Sequence, residues 1–177
     1  GEKEAQNQLS NFINKKINKY KIFRNYPSRQ YTSLLSPHLH FGEISPNQIW
    51  NTIKTLNHNE NISHFYSELG WREFSYYLLF HNPNMPEKNI QPKFDSFPWN
   101  NNDEFFNKWK KGITGIPIID AAMRELWETG YMHNRMRMIT ASFLVKNLLI
   151  HWKYGELWFW HCLFDADLAN NSSGWQW

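Results

Sequence analysis

A single cysteine, Cys162, stands in 177 residues. One thiol supports neither an intrachain disulfide framework nor a cysteine-based metal site, and a reducing, aqueous compartment is the default for such a chain. The sequence also lacks a glycine-rich phosphate loop, a Gly-x-Ser-x-Gly elbow and a His-Glu-x-x-His pair, so three common routes to phosphate, acyl and metal-assisted hydrolysis are missing. His38 and His40 lie two apart, a poor spacing for ligands on a helix, and no metal is expected. No apolar run reaches the length of a membrane span and no signal pattern opens the chain, which makes a cytoplasmic location away from membranes the expectation. Alternating strand patterns of useful length are absent too. The fold class expected is all-α, a multihelical domain spanning 1–177 without an internal boundary or repeat.

What the sequence does have is aromatic side chains: 18% of residues, including ten Trp. Packing alone rarely asks for so many indoles. The net charge of +3 permits a polyanionic partner without demanding one.

Residues 2–23 read as one helix, with Leu9, Phe12, Ile13, Ile17 and Tyr20 on its apolar face. Ser36-Pro37 and Ser45-Pro46 have the form of helix starts, Ser at N-cap and Pro at N1. The hydroxyls from Thr32 to Ser36 suit either ordinary capping or a phosphate beside free amides. Helices are expected over 46–56 and 61–81. In the second, Glu68 and Trp71 share a face; they form either a polar and stacking platform or an ordinary amphipathic helix with Trp71 in the core and Glu68 paired to Arg72. A proline-rich connection over 82–98 ends at Trp99, and a short helix over 105–111 precedes a clear one at 117–129. That helix has an Ile119, Ala122, Met123, Leu126 stripe, an Asp120–Arg124 pair and Gly130 as its stop. The next is expected to open at Tyr131 and run to about His151, with Arg135 and Arg137 in its first turn, where cations oppose the helix dipole. Tyr154-Gly155 reads as a break before a last helix over 156–164.

The final stretch, Asp165 to Trp177, combines two carboxylates, an amide pair, small residues and two indoles. It fits the wall of a pocket for a flat, redox-active group. It fits equally a helix C-terminus followed by an Asn-Asn-Ser-Ser-Gly turn.

Five stretches carry a family resemblance. They are Thr32-Ser33-Leu34-Leu35-Ser36, Glu68-Leu69-Gly70-Trp71-Arg72-Glu73-Phe74, Thr114 through Arg124, Met132-His133-Asn134-Arg135-Met136-Arg137-Met138, and Asp165-Ala166-Asp167 on to Gly174-Trp175-Gln176-Trp177. In this order they resemble the FAD-binding domain of DNA photolyases and cryptochromes, most closely the class I cyclobutane-pyrimidine-dimer photolyases. The resemblance implies light-driven repair of DNA containing pyrimidine dimers, by a monomer with one non-covalent FAD; a cryptochrome-type blue-light receptor is the alternative. It implies a cofactor pocket from Tyr20, Thr32, Ser33, Leu34, Leu35, Ser36, Phe65, Arg72, Arg137, Asp165, Ala166, Asp167 and Asn171, with Asn171 at the flavin N5 and Arg137 paired to Asp165. Trp99, Trp152 and Trp175 match the family's electron chain, Trp175 innermost and Trp99 at the surface. Arg24, Glu68, Trp71, Asn134, Arg135 and Met138 match its DNA and substrate contacts, Trp71 stacking on the flipped dimer. The family's N-terminal antenna domain, with its second chromophore, and its continuation past Trp177 are expected outside this chain, which alone is expected to hold FAD weakly or not at all.

Overall fold

The computed structural model describes residues 1–177 and contains helices and turns but no strand. The chain divides into two compact units, Gly1–Phe74 and Ser75–Trp177, each with its own apolar core. No helix is long and apolar enough to cross a membrane.

In the first unit α1 (Glu2–Lys15) stops at Lys16, whose φ of −123° leaves the helical region, and the chain restarts as a 3-10 turn (Ile17–Lys19) and α2 (Tyr20–Phe23). The single helix expected over 2–23 is therefore broken. The break swings Ile17 and Tyr20 into the core beside Leu9 and Phe12, and apolar burial repays the lost helical bonds. A short α3 (Ser36–His40) follows; its N-cap is Leu35, so Ser36 lies inside the first turn and is not the cap that the Ser-Pro pattern suggests. Ser45 is one: it accepts from Gln48 N while Gln48 closes the capping box, and α4 runs Pro46–Lys54. Asn59 Oδ1 accepts from Asn61 N and Ile62 N and starts α5 (Glu60–His81).

The second unit opens with the end of α5, runs irregularly over 82–102, then forms α6 (Asp103–Lys111), capped by Asn102 and closed by left-handed Gly112. Helix α7 (Pro117–Thr129) keeps the expected bounds, stripe and left-handed Gly130. Its Asp120 does something else, however. The carboxylate accepts from Thr114 N at 2.7 Å, Thr114 Oγ1 at 2.6 Å and Gly115 N at 2.9 Å, knotting the preceding turn rather than forming the expected side-chain pair with Arg124. Burial works against the charge, but those three bonds and the Arg124 charge together hold the carboxyl below its ordinary value. Its stabilising contribution is complete above the ordinary Asp range and fades as pH falls through the lowered native value. Asp120→Ala should cost about 2–3 kcal/mol, because two part-buried amides lose their acceptor. Denaturant midpoints at neutral pH measure this, and an Asp120→Asn protein should lose the acid-range slope.

Helix α8 (Asn134–Ser142) passes into a π turn (Phe143–Asn147), and the chain then bends through Leu149 at φ 54°. The expected run to His151 is thus cut short. The last two helices are α9 (Trp152–Cys162) and α10 (Leu168–Gln176). Gly155 lies inside α9 and breaks nothing. It is a glycine because a Cβ there would fall inside the van der Waals envelope of the Trp175 ring and 2.7 Å from Leu144 Cδ2. The Asn-Asn-Ser-Ser-Gly run is helix, not turn: Asp167 accepts from Asn170 N at 2.8 Å and caps α10.

Candidate functional site

In the first unit, the segment expected to meet a phosphate is fixed by α1. Gln8 Nε2 donates to Ser33 O at 2.9 Å and Lys16 Nζ reaches Thr32 O at 3.5 Å. Burial first, then the neighbouring Lys15, lower the Lys16 ammonium's pKa. Between Ser33 and Leu35 the backbone of Leu34 has φ 55°. A bulky residue held in the left-handed region stores strain that the surroundings must over-determine, and such outliers cluster at ligand sites. Leu35 is buried beneath the segment, while Thr32 and Ser33 stay partly exposed. Tyr20 and Phe65, expected in the cofactor pocket, are buried core rings that meet edge to face at 5.3 Å.

Glu68 and Trp71 depart from the plain amphipathic-helix alternative. Glu68 takes a two-point grip from Arg24, Nη1–Oε1 at 2.6 Å and Nη2–Oε2 at 2.7 Å, while Arg72 turns to Glu73 at 2.7 Å. A bidentate guanidinium fixes the carboxylate plane as well as its position. Trp71 is not core: 52% of it is exposed, one turn beyond Glu68. Arg24, expected among the DNA and substrate contacts, orients Glu68, with its side chain 13% exposed.

In the second unit, Arg137 binds Asp165 Oδ2 at 2.8 Å and donates through Nε to Met132 O at 2.8 Å. The Asp165 carboxylate is 1% exposed, so the expected ion pair is present and buried. Asp167 caps α10 and also accepts from the Tyr76 hydroxyl; Ala166 is buried beside it. Asn171 Nδ2 donates to Glu156 O at 3.0 Å and Glu156 Oε1 at 3.1 Å. With its nitrogen committed, the amide carbonyl is the end left for a ligand. Glu156, a buried carboxylate also held by Lys153 at 2.8 Å, is a residue that sequence reasoning missed. It follows Gly155 in what read as a break, and nothing local marks it.

The three indoles expected to move electrons differ in depth. Trp175 is buried against Phe159 at 4.9 Å, Trp152 is buried with Nε1 donating to Asn89 Oδ1 at 2.7 Å, and Trp99 is half-buried. Asn134 and Met138 lie exposed on α8, with Arg135 Nη1 resting 3.8 Å from Met138 Sδ. Those three are placed where a macromolecule can reach them.

In the second unit an all-helical scaffold thus carries an ion pair on a buried carboxylate, an oriented amide and indoles of graded depth; comparison with known proteins says which family this is. The family described as the FAD binding domain of DNA photolyase matches residues 65–177, and the chain belongs to that family, whose cofactor is FAD. A deoxyribodipyrimidine photo-lyase of Agrobacterium fabrum is 49% identical over 100% of this chain and 38% of its own length. The crystal structure of a bacterial class III photolyase from Agrobacterium tumefaciens superposes with a TM-score of 0.98 at 49% identity, over 100% of this chain and 37% of that one. A Synechocystis cryptochrome structure gives 0.93 at 35%, over 99% and 38%. The chain thus spans about two fifths of the length of these relatives, and a class III structure stands at 49% identity where the motifs had suggested class I.

Proposed function

We propose that the protein is a light-driven DNA-repair lyase, a deoxyribodipyrimidine photo-lyase acting on cyclobutane pyrimidine dimers in DNA, and that residues 1–177 are part of its helical flavin domain. The observation that carries this is the exposed Trp71 one turn from a Glu68 carboxylate held rigid by Arg24. An exposed indole is a platform for a base taken out of the duplex, and a fixed carboxylate reads a base edge. Photolyases are among the enzymes that flip their target bases.

Bound FAD would supply the photochemistry, accepting light and exchanging single electrons with the dimer or with nearby indoles. The chain's own residues bind and orient. Thr32, Ser33 and Ser36 offer hydroxyls to the pyrophosphate around the strained Leu34, with Leu35, Tyr20, Phe65 and Arg72 as its wider setting. Arg137, Asp165, Ala166 and Asp167 set the polar edge of the flavin ring, and the Asn171 carbonyl would accept from a ring N–H. Trp99, Trp152 and Trp175 carry electrons inward to the flavin, so that the hole moves outward to the surface. Asn134, Arg135 and Met138 meet DNA. A monomer in the cytoplasm, with a second antenna chromophore in another domain, completes the proposal.

The cryptochrome reading shares the scaffold, as the Synechocystis similarity indicates. The presented Trp71–Glu68 pair favours repair, because a photoreceptor has no use for a damaged base. Trp71→Ala decides between them. In the full-length protein its preference for dimer-containing over intact duplex should fall by about one to two decades, the worth of one base stacked on an aromatic ring. Arg135→Ala should weaken both duplexes alike and flatten the salt dependence. Equal losses on both DNAs from Trp71→Ala would remove the indole from the substrate site.

A further inference from the structure

Three aromatic rings touch in succession in the second unit. Trp99 meets His151 edge to face at 5.0 Å between centroids, and His151 stacks on Trp152 at 5.3 Å with the planes 30° apart. The imidazole is pinned. Its Nδ1 accepts from Lys153 N at 3.1 Å as the N-cap of α9, and its backbone N–H donates to Asn101 Oδ1 at 3.0 Å. Ser, Asp or Asn caps a helix as well or better, yet none of them sets a ring between two indoles.

We propose that His151 is a working part of the outer electron relay: a neutral ring that couples Trp99 to Trp152, locked as the Nε2–H tautomer by capping α9, and one that blocks the hop when protonated. The proposal rests on the reading of Trp99 and Trp152 as successive donors. In the step concerned, one electron passes from the Trp99 indole to a Trp152 radical cation. Trp152 becomes neutral, Trp99 is left as the radical cation, and its N–H proton then departs to water at the half-exposed edge. His151 keeps its own protons throughout. The hole on Trp152 stays a cation until it is refilled, because Nε1–H bonds an amide oxygen, Asn89 Oδ1, which is too weak a base to take the proton.

The geometry also explains why the ring stays neutral. A histidine that accepts at Nδ1 carries its hydrogen on Nε2, so the only site for a second proton is the lone pair already given to Lys153 N. Protonation costs the cap. Burial, and then the Lys153 charge, push the imidazole's pKa below its ordinary value. The other charged groups facing it are Glu87, Lys88 and Asp95, which with Asn89 and Trp152 line one cavity of about 360 Å³ beside the ring. A cation at this distance raises the energy of a hole on either indole, so with His151 protonated the hole reaches the pair, and hence Trp99, less readily.

The test uses the full-length, FAD-loaded protein. In the dark, NMR of the ring should show upfield-shifted His151 carbon-bound protons, the Nε2–H tautomer, and titration below the ordinary histidine range. Under flash excitation, the Trp99 radical should form at a rate flat across neutral pH that drops about tenfold or more in acid. His151→Asn keeps the cap and removes the ring; it should form the radical about tenfold more slowly and lose the acid step. His151→Phe keeps the ring without the charge and should retain the neutral-pH rate, again without the acid step. A His151→Asn protein with the wild-type rate and acid profile would overturn the proposal, as would an Nδ1–H ring titrating in the ordinary range. Trp152→Phe guards the underlying reading: an undiminished Trp99 radical in that variant, with the NMR result intact, would sink the electron chain itself rather than the tautomer assignment.

Discussion

Gly155→Ala is expected to destabilise the protein by about 1–3 kcal/mol and to move the Trp175 indole. A methyl group added in the middle of a helix would ordinarily stabilise it, since alanine is the better helix former. Here the added carbon falls into the Trp175 ring and close to Leu144, and neither neighbour has room to give. Trp175 is packed against Phe159 at 4.9 Å and Trp109 at 6.2 Å, and Leu144 is fully buried. Overpacking a filled core costs this much, and it outweighs the gain of under about 1 kcal/mol from helix propensity. Two measurements check it: the denaturation midpoint, which should fall, and the rate at which light reduces the bound flavin, which should fall with it. A stabilised protein with unchanged photoreduction would mean the close approach of α9 to Trp175 is not as described.

Arg137→Met should be worse, about 3–5 kcal/mol, because it strands a carboxylate that is 1% exposed. The guanidinium does two jobs, bridging Asp165 at 2.8 Å and holding Met132 O at 2.8 Å, so the variant loses both. Asp165→Asn is the informative partner. It removes the buried charge while keeping a polar group of the same shape, and in the double variant Arg137→Met/Asp165→Asn much of the loss should return. Denaturant titration of the four proteins gives the coupling directly. Additive losses would show that the two side chains do not act as a pair.

The features that read correctly from the sequence are those decided within a few residues. Helix α7 is framed by Pro117 at its start and Gly130 at its end, with a regular apolar stripe between, and it lies where those signals put it. Ser45 with Gln48 is equally local. What misled was decided elsewhere in the chain. Lys16 interrupts a good helical pattern because burying Ile17 and Tyr20 requires a kink. Gly155 looks like a breaker until Trp175, twenty residues on, shows why it has no side chain. Asp120 carries the i,i+4 spacing of a pair with Arg124 but faces a turn whose amides need an acceptor more. The Asn-Asn-Ser-Ser-Gly run has turn composition, yet Asp167 caps it into a helix. The candidate site divides in the same way. Arg137 with Asp165 was legible through resemblance and is a formed ion pair. Glu156, Asn89 and the His151 ring were not, since each acts on a residue far from it or through a shape that spacing does not encode.

One measurement bears most directly on the account. The full-length protein, loaded with FAD and reduced in the dark, is mixed with an oligonucleotide carrying a single thymine dimer and exposed to blue light. The ultraviolet absorbance of the intact thymines should return with illumination, stay absent in the dark, and recover far less in Trp71→Ala at subsaturating DNA. A flavin-loaded, photoreducible protein that leaves the dimer uncut under light would contradict it, and would leave this family member a photoreceptor.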